Sequence, residues 1–185
     1  MKPLFRYLIA SLSVLLLAPL SATAQQWPQR PVKIVVPYAA GGNTDTIARL
    51  TAQRLSEALG QQFIVDNRGG AGGAIAADFV AKSAPDGYTL CVCALSQLVP
   101  VPLTQQVAYD PLKDFTPISN IGANGFVITV NTSVPAKTLP EFIAYAKAHP
   151  GKLNYGSGGM GSLTHLAAAL FVQRVGIDMT HVPYK

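Results

Sequence analysis

Short β-branched runs alternate along the chain with longer segments of helical periodicity, a pattern typical of α/β folds. Residues 32–36 (VKIVV) predict a first strand, and residues 63–66 and 88–94 predict a second and a third. A helix is predicted over residues 44–59, and another ends near residue 82. Because a predicted helix follows each of the first two strands, the sequence predicts a parallel sheet.

A second group of elements follows a proline-rich stretch at residues 99–115, which we interpret as a crossover between two lobes. Thr138 is predicted to begin a helix, with Glu141 three residues later completing a capping box. The other predicted elements are strands at residues 116–121 and 126–130, a strand at "KLNY", a helix over residues 163–175 and a strand over residues 179–183.

The first 24 residues predict a cleaved export signal. Lys2 and Arg6 precede an apolar run over residues 7–20, which is shorter than the roughly 20 residues of a membrane span. The motif ATA at residues 22–24 has the small-x-small pattern of a signal peptidase site. We therefore expect an exported protein whose mature form begins at Gln25. The predicted organisation is a signal peptide at residues 1–24, a first lobe at 25–98, the crossover at 99–115 and the first part of a second lobe at 116–185.

Charge and cysteine content narrow the function classes. The chain has 14 basic and 9 acidic residues, and removing the two basic residues of the signal leaves 12 against 9, a net charge of +3. The basic residues are scattered, which argues against a nucleic-acid partner. On a strand, Cys91 and Cys93 would have Cα atoms roughly 6.5–7 Å apart, at or beyond the reach of a disulfide. We expect two small buried hydrophobic residues there.

Two glycine-rich loops are the candidate binding elements. "PYAAGGNTD" at residues 37–45 and "GSGGMGS" at residues 156–162 each follow a predicted strand and open a predicted helix. Backbone N–H groups in such loops bind anions. A phosphate is the usual anion at such a loop, but the first loop lacks the lysine of a P-loop, so the loop alone leaves the kind of anion open. We expect a side chain at position 41 or 42 to block access of a ligand to the N–H groups, and Gly42→Val to strain φ as well.

The second loop also contains partial motifs for two other functions. Residues 156–161 match the dinucleotide fingerprint G-x-G-x-x-G, but Asp178 precedes the next strand, whereas the fingerprint requires an acid at that strand's end. Ser157 with a histidine is a candidate nucleophile, although Tyr155 stands where G-x-S-x-G requires glycine. A secreted serine hydrolase that uses Ser157 is therefore the alternative to a binding protein.

Five stretches closely resemble the Bug-type substrate-binding proteins, the periplasmic receptors of tripartite tricarboxylate transporters: "WPQRPVKIVVPYAAGGNTDTIAR", "VDNRGGAGGAIAADFVAKSAPDGYTL", "YDPLKDFTPIS", "VPAKTLPEFIAYAKAHPGKLNYGSGG" and "HVPYK". The resemblance covers nearly all of residues 27–185 and about the first half of a typical family member. It departs from the family at Gly69, where proline is usual, and over residues 99–107. It implies a two-lobed α/β fold like that of periplasmic binding proteins, incomplete here because the C-terminal part is absent.

The resemblance also implies a function. We expect a monomeric receptor, with no catalytic residue, metal or cofactor, that binds a small organic acid between its lobes for a tripartite membrane permease. We expect this chain to bind poorly, because the second crossing that would orient the lobes is missing. The implied ligand-binding residues are Tyr38, Ala39, Gly41, Gly42, Asn43, Asp45, Gly72, Ser96, Ser157, Gly158, Gly159, Ser162 and His165.

Overall fold

The computed structural model describes residues 27–123 and 125–184, and the predicted α/β class is confirmed. Its elements in chain order are β1 Val32–Val36, α1 Asn43–Leu59, β2 Phe63–Asn67, a 3-10 turn Ala71–Gly73, α2 Ala74–Ala81, β3 Thr89–Cys91, α3 Leu95–Leu98, α4 Pro100–Thr104, α5 Leu139–Ala148, β4 Leu153–Ser157, α6 Leu163–Val175 and β5 Met179–Pro183. The predicted signal peptide lies outside the described residues. Within them, every helix is too short or too polar to cross a bilayer.

The first sheet consists of three parallel strands in the order β2-β1-β3, as the alternation of strands and helices predicted. Lys33 of the central strand pairs with Ile64 on one side and with Thr89 on the other. The strand is almost entirely buried, because helical crossovers cover both faces of a parallel sheet. Ala48 and Ala52 of α1 pack against one face, where their small side chains bring the helix close to the strand.

The second sheet pairs β4 with β5 in parallel, and its core lies between α5, α6 and the chain after α6. Phe142 and Phe171 stack there with ring centroids 6.5 Å apart. Thr138 caps α5 as predicted, since its hydroxyl accepts a hydrogen bond from the Glu141 N–H. The Glu141 carboxylate accepts one from the backbone N–H of Lys137 instead of Thr138, so the capping box is confirmed only on its threonine side.

The strands predicted at residues 116–121 and 126–130 are wrong. Residues 116–123 and 125–130, the parts described, form no strand, and their apolar side chains face outward, with Val127 83% exposed. A β-branched run becomes a strand by pairing and packing against neighbours, and these residues pair with no described strand. An open groove of about 630 Å³ lies between residues 126–130 and the start of α5, and none of the predicted site residues lines it.

The prediction of two separate cysteines is also wrong, because Cys91 and Cys93 form a disulfide. The prediction assumed strand geometry as far as Ala94, whereas β3 ends at Cys91. The chain leaves the extended conformation at that point, and the two Cα atoms come to 5.2 Å, within the range of a disulfide. The bridge therefore fixes the path by which the chain leaves β3 and enters α3.

Candidate functional site

Three loops meet at the carboxyl edge of the first sheet. β1 leads into the Tyr38 loop (residues 37–42), β2 leads into the Gly72 loop (residues 68–73), and β3 leads into α3. Hydrogen bonds join these segments: the Asn67 side chain donates to the Tyr38 carbonyl at 3.1 Å, and the Gln97 side chain donates to the Gly72 carbonyl at 2.8 Å. Open α/β sheets bind their ligands at this edge.

Asp45 organises the Tyr38 loop from the first turn of α1. Its buried carboxylate accepts hydrogen bonds from Arg49 Nε at 3.0 Å, the Gly41 N–H at 2.8 Å and Asn67 Nδ2 at 3.0 Å. These three bonds, of which that from Arg49 has the largest effect, lower the pKa of Asp45 from 3.8 to about 2, although burial opposes them. The carboxylate therefore holds the loop in shape, and its role as a ligand contact stays a prediction.

The two glycines of the Tyr38 loop differ in conformation, and the expected φ strain at position 42 is wrong. Gly42 is the N-cap of α1 with φ −79°, a value open to any residue, and a Cβ there would come no closer than 3.8 Å to the Ala39 carbonyl. Gly41 has φ +89°, in the left-handed region that favours glycine, with open space around a Cβ. Backbone strain therefore applies only to position 41.

The Ser157 loop (residues 156–162) connects β4 to α6. The Ser162 hydroxyl caps α6 by accepting from the His165 N–H at 3.2 Å. The Gly158 N–H donates to the Thr164 hydroxyl at 3.0 Å, so side chains of the first helical turn also shape the loop. The helix predicted over residues 163–175 is confirmed at both ends.

The Ser157 loop packs directly against the loops of the first sheet. The backbone N–H of Leu163 donates to the Ser96 hydroxyl at 3.0 Å, and the Gln105 side chain donates to the Met160 carbonyl at 3.0 Å. A Cβ added to Gly72 would lie 2.7 Å from that same carbonyl. Glycine at position 72 therefore permits the contact between the two halves of the candidate site.

A stack of aromatic rings lies behind the Ser157 loop. The His165 and His181 rings are parallel within 14° with centroids 4.0 Å apart, and Tyr155 stacks on His181 at 5.0 Å. Burial, and then the neighbouring His165, lower the pKa of His181. Ser157 Oγ lies 2.7 Å from His181 Nε2, as a nucleophile and its base would. In a triad a carboxylate accepts a hydrogen bond from the other ring nitrogen, Nδ1, and among the described residues no carboxylate bonds to His181, so the geometry does not favour the hydrolase.

The structure brings about half of the predicted site residues together. The following six lie where the loops meet: Tyr38, Gly72, Ser96, Gly158, Gly159 and Ser162. Four others are exposed around the start of α1: Ala39, Gly41, Gly42 and Asn43. Within the described residues, no group of three or more histidine, cysteine, aspartate or glutamate side chains could hold a metal ion.

Sequence reasoning missed two glutamines that join these loops. Gln97 has no exposed surface and bonds the Tyr38 and Gly72 loops, whereas Gln105 reaches across to the Ser157 loop. The signal for Gln97 was its place in the mostly apolar stretch "CALSQLV", where a buried amide requires several hydrogen-bond partners. Gln105 lies in a stretch that departs from the family pattern and carried no such signal.

The chain is similar to a family of transporter receptors. A family model for the "Tripartite tricarboxylate transporter family receptor" matches residues 47–185. BugT of Bordetella pertussis is 39% identical over 170 residues, which are 91% of this chain and 52% of BugT. The chain spans about half the length of the curated relatives it matches.

Solved structures from Rhodopseudomonas palustris share this fold. MatC with bound malate is 38% identical with a TM-score of 0.75, and the match covers 85% of this chain and 54% of MatC. A second R. palustris protein with adipate is 41% identical with a TM-score of 0.72, over 86% of this chain and 54% of its own. The match to periplasmic binding proteins therefore extends over about half of their length.

Proposed function

Because the chain belongs to the tripartite tricarboxylate transporter family of receptors, as its resemblance to the Bug-type proteins indicated, we propose that it is an exported receptor that binds a small organic carboxylate. The proposed site lies where the Tyr38 loop and the Ser157 loop meet at the carboxyl edge of the first sheet. The bound acid would then pass to a membrane permease of the same transporter type. Malate and adipate, found in the two similar structures, are the first ligands to examine.

The packing of the Ser157 loop against Gly72 and Ser96 is the observation that carries this proposal. It places the N-terminus of α6 beside the strand ends of the first sheet, where the N-terminus of α1 also lies. Helix N-termini and loop N–H groups favour negative charge. Without a lysine or arginine in either loop, such a site suits a carboxylate, which ordered water and neutral donors can also hold.

Substitution of Gly158 by valine is expected to weaken carboxylate binding about tenfold or more. A Cβ at this position makes ordinary contacts, 3.5 Å from Thr164 Oγ1 and 3.7 Å from Tyr38 Cε1, so the fold should tolerate it. The two methyl groups beyond it would fill the space between Tyr38 and the loop. Calorimetry with malate, adipate and citrate measures the effect, with malate dimethyl ester as the uncharged comparison.

Gly125→Val is the matched control, because a Cβ there meets no atom within 4 Å and the residue lies in neither the Tyr38 loop nor the Ser157 loop. It should bind as the unaltered protein does. If Gly158→Val binds all three acids with unchanged affinity, the proposed site is wrong. Because this chain is expected to bind weakly, the titrations extend to millimolar ligand concentrations. If the unaltered protein binds none of the three acids even there, carboxylate binding itself is wrong.

We also propose export through a signal peptide cut after Ala24. After the apolar run, only the motif at residues 22–24 has small residues at both positions that signal peptidase recognises. N-terminal sequencing of the exported protein should begin at Gln25, and Ala24→Tyr should leave uncut precursor in the membrane. Exported material that begins at another residue would contradict the proposal.

A further inference from the structure

The side chain of Gln97 is held in a single orientation. It is fully buried, its Oε1 accepts a hydrogen bond from the Ala94 N–H at 2.9 Å, and its Nε2 donates to the Gly72 carbonyl at 2.8 Å and to Tyr38 Oη at 3.1 Å. A backbone N–H can only donate and a backbone carbonyl can only accept, so the amide cannot be turned over. Both N–H groups of the amide therefore have partners, one of which is the Tyr38 oxygen.

This arrangement determines what the Tyr38 hydroxyl can do. A phenol has one proton, and Tyr38 Oη already accepts from Gln97, which offers no acceptor in return. The proton must turn away from Gln97 within the plane of the ring. The Cε1 edge of the ring lies 3.7 Å from where a Cβ of Gly158 would be, so this edge of Tyr38 lies where the Tyr38 loop and the Ser157 loop meet.

We infer that Gln97 is a positioning residue that reserves the Tyr38 hydroxyl as a hydrogen-bond donor to the ligand carboxylate; this rests on the proposed function. A carboxylate can only accept, and a donor already turned toward it needs no reorientation on binding. A hydrogen bond to a charged oxygen is roughly twice as strong as one between neutral groups. With the bond from Gln97 in place, Tyr38 therefore favours ligands that present an anionic oxygen over similar ligands that present an O–H or N–H donor at the same position.

Removing the donor tests the first half of the inference. Tyr38→Phe is expected to weaken malate and adipate binding about tenfold, the effect of one hydrogen bond to a charged group. Tyr88→Phe is the matched control, since the Tyr88 hydroxyl accepts a hydrogen bond from the Gln29 N–H at the end of β3 away from the site. The Tyr88→Phe variant should bind malate and adipate with unchanged affinity. Gln97→Glu should weaken binding at least as much as Tyr38→Phe, because the new carboxylate would accept the Tyr38 proton and repel the ligand.

A double-substitution cycle tests the second half and separates positioning from stability. Gln97→Met is expected to weaken binding a few-fold in the unaltered protein and to have no further effect in the Tyr38→Phe background. A purely structural role for Gln97 would weaken binding equally in both backgrounds. Calorimetry with malate and adipate is run below the melting temperature of each variant, so that every measured affinity belongs to folded protein.

The outcomes distinguish the two proposals. If the unaltered protein binds malate or adipate and Tyr38→Phe binds equally well, the inference is wrong while the proposed function stands. If Gln97→Met weakens binding to the same extent in both backgrounds, Gln97 is structural and the positioning role is wrong. If the unaltered protein binds neither acid, the proposed function and this inference both fail.

Discussion

Gly72→Ala is expected to destabilise the protein by about 2–4 kcal/mol and to separate the Ser157 loop from the first sheet. Gly72 has φ +65°, where an L-residue is strained, and a Cβ would lie 2.7 Å from the Met160 carbonyl and 3.1 Å from a Val101 methyl. The carbonyl belongs to the backbone, so it can move only if the whole loop moves. Denaturant unfolding measures the loss of stability.

Gly41→Ala is the control that isolates the contact from the strain. Gly41 has φ +89° but open space around its Cβ position, so alanine there reports the left-handed backbone alone. Gly72→Ala should lower the free energy of unfolding more than Gly41→Ala does, and the difference measures the cost of the clash with the Met160 carbonyl. Equal losses from the two substitutions would mean that the Ser157 loop does not rest on Gly72 in solution.

Asp45→Asn is expected to disorder the Tyr38 loop. The carboxylate accepts from three donors, and an asparagine amide would turn an NH₂ group toward at least one of them. Arg49 would also lose its charged partner. We expect a lower melting temperature near neutral pH and faster hydrogen exchange at Gly41, whose N–H bonds to this carboxylate.

Asp45→Asn should also reduce the loss of melting temperature that the protein shows as the pH falls below about 4. The folded-state pKa of Asp45, about 2, is below its ordinary 3.8, so its contribution is complete above pH 3.8 and disappears as the pH falls through about 2. The melting temperatures of the two proteins should therefore converge over this interval. Asp86→Asn, which changes an exposed ion pair with Arg30, is the control. A constant difference from neutral pH down to pH 2 would contradict the assignment.

Strands β1 and β2 could be predicted from the sequence to within one residue, whereas β3 was predicted to extend three residues too far. A central strand such as β1 reads as an uninterrupted apolar run because both its faces are covered. The bounds of α6 were also predictable, since Ser162 caps one end and Gly176, with φ +64°, ends the other. These features depend on local chemistry that a single sequence records.

The remaining errors involve contacts between distant segments. Residues 126–130 have the composition of a strand, but only a partner strand would make them one. The bridge between Cys91 and Cys93 depends on where β3 ends, which three residues of pairing with β1 decide. Gln97 matters because it meets Tyr38 and Gly72, 59 and 25 positions away. The partners of such a residue are established only in three dimensions.

The central place of β1 has a consequence for biosynthesis. Chains emerge from the ribosome, or from a translocation channel, with the N-terminal end first, and β1 is the earliest strand of its sheet. Its register joins Lys33 to Ile64 and then to Thr89, so its two edges stay open until 31 and then 56 further residues have emerged. During that interval an apolar segment with unpaired backbone groups is exposed, which is the state that holdase chaperones bind.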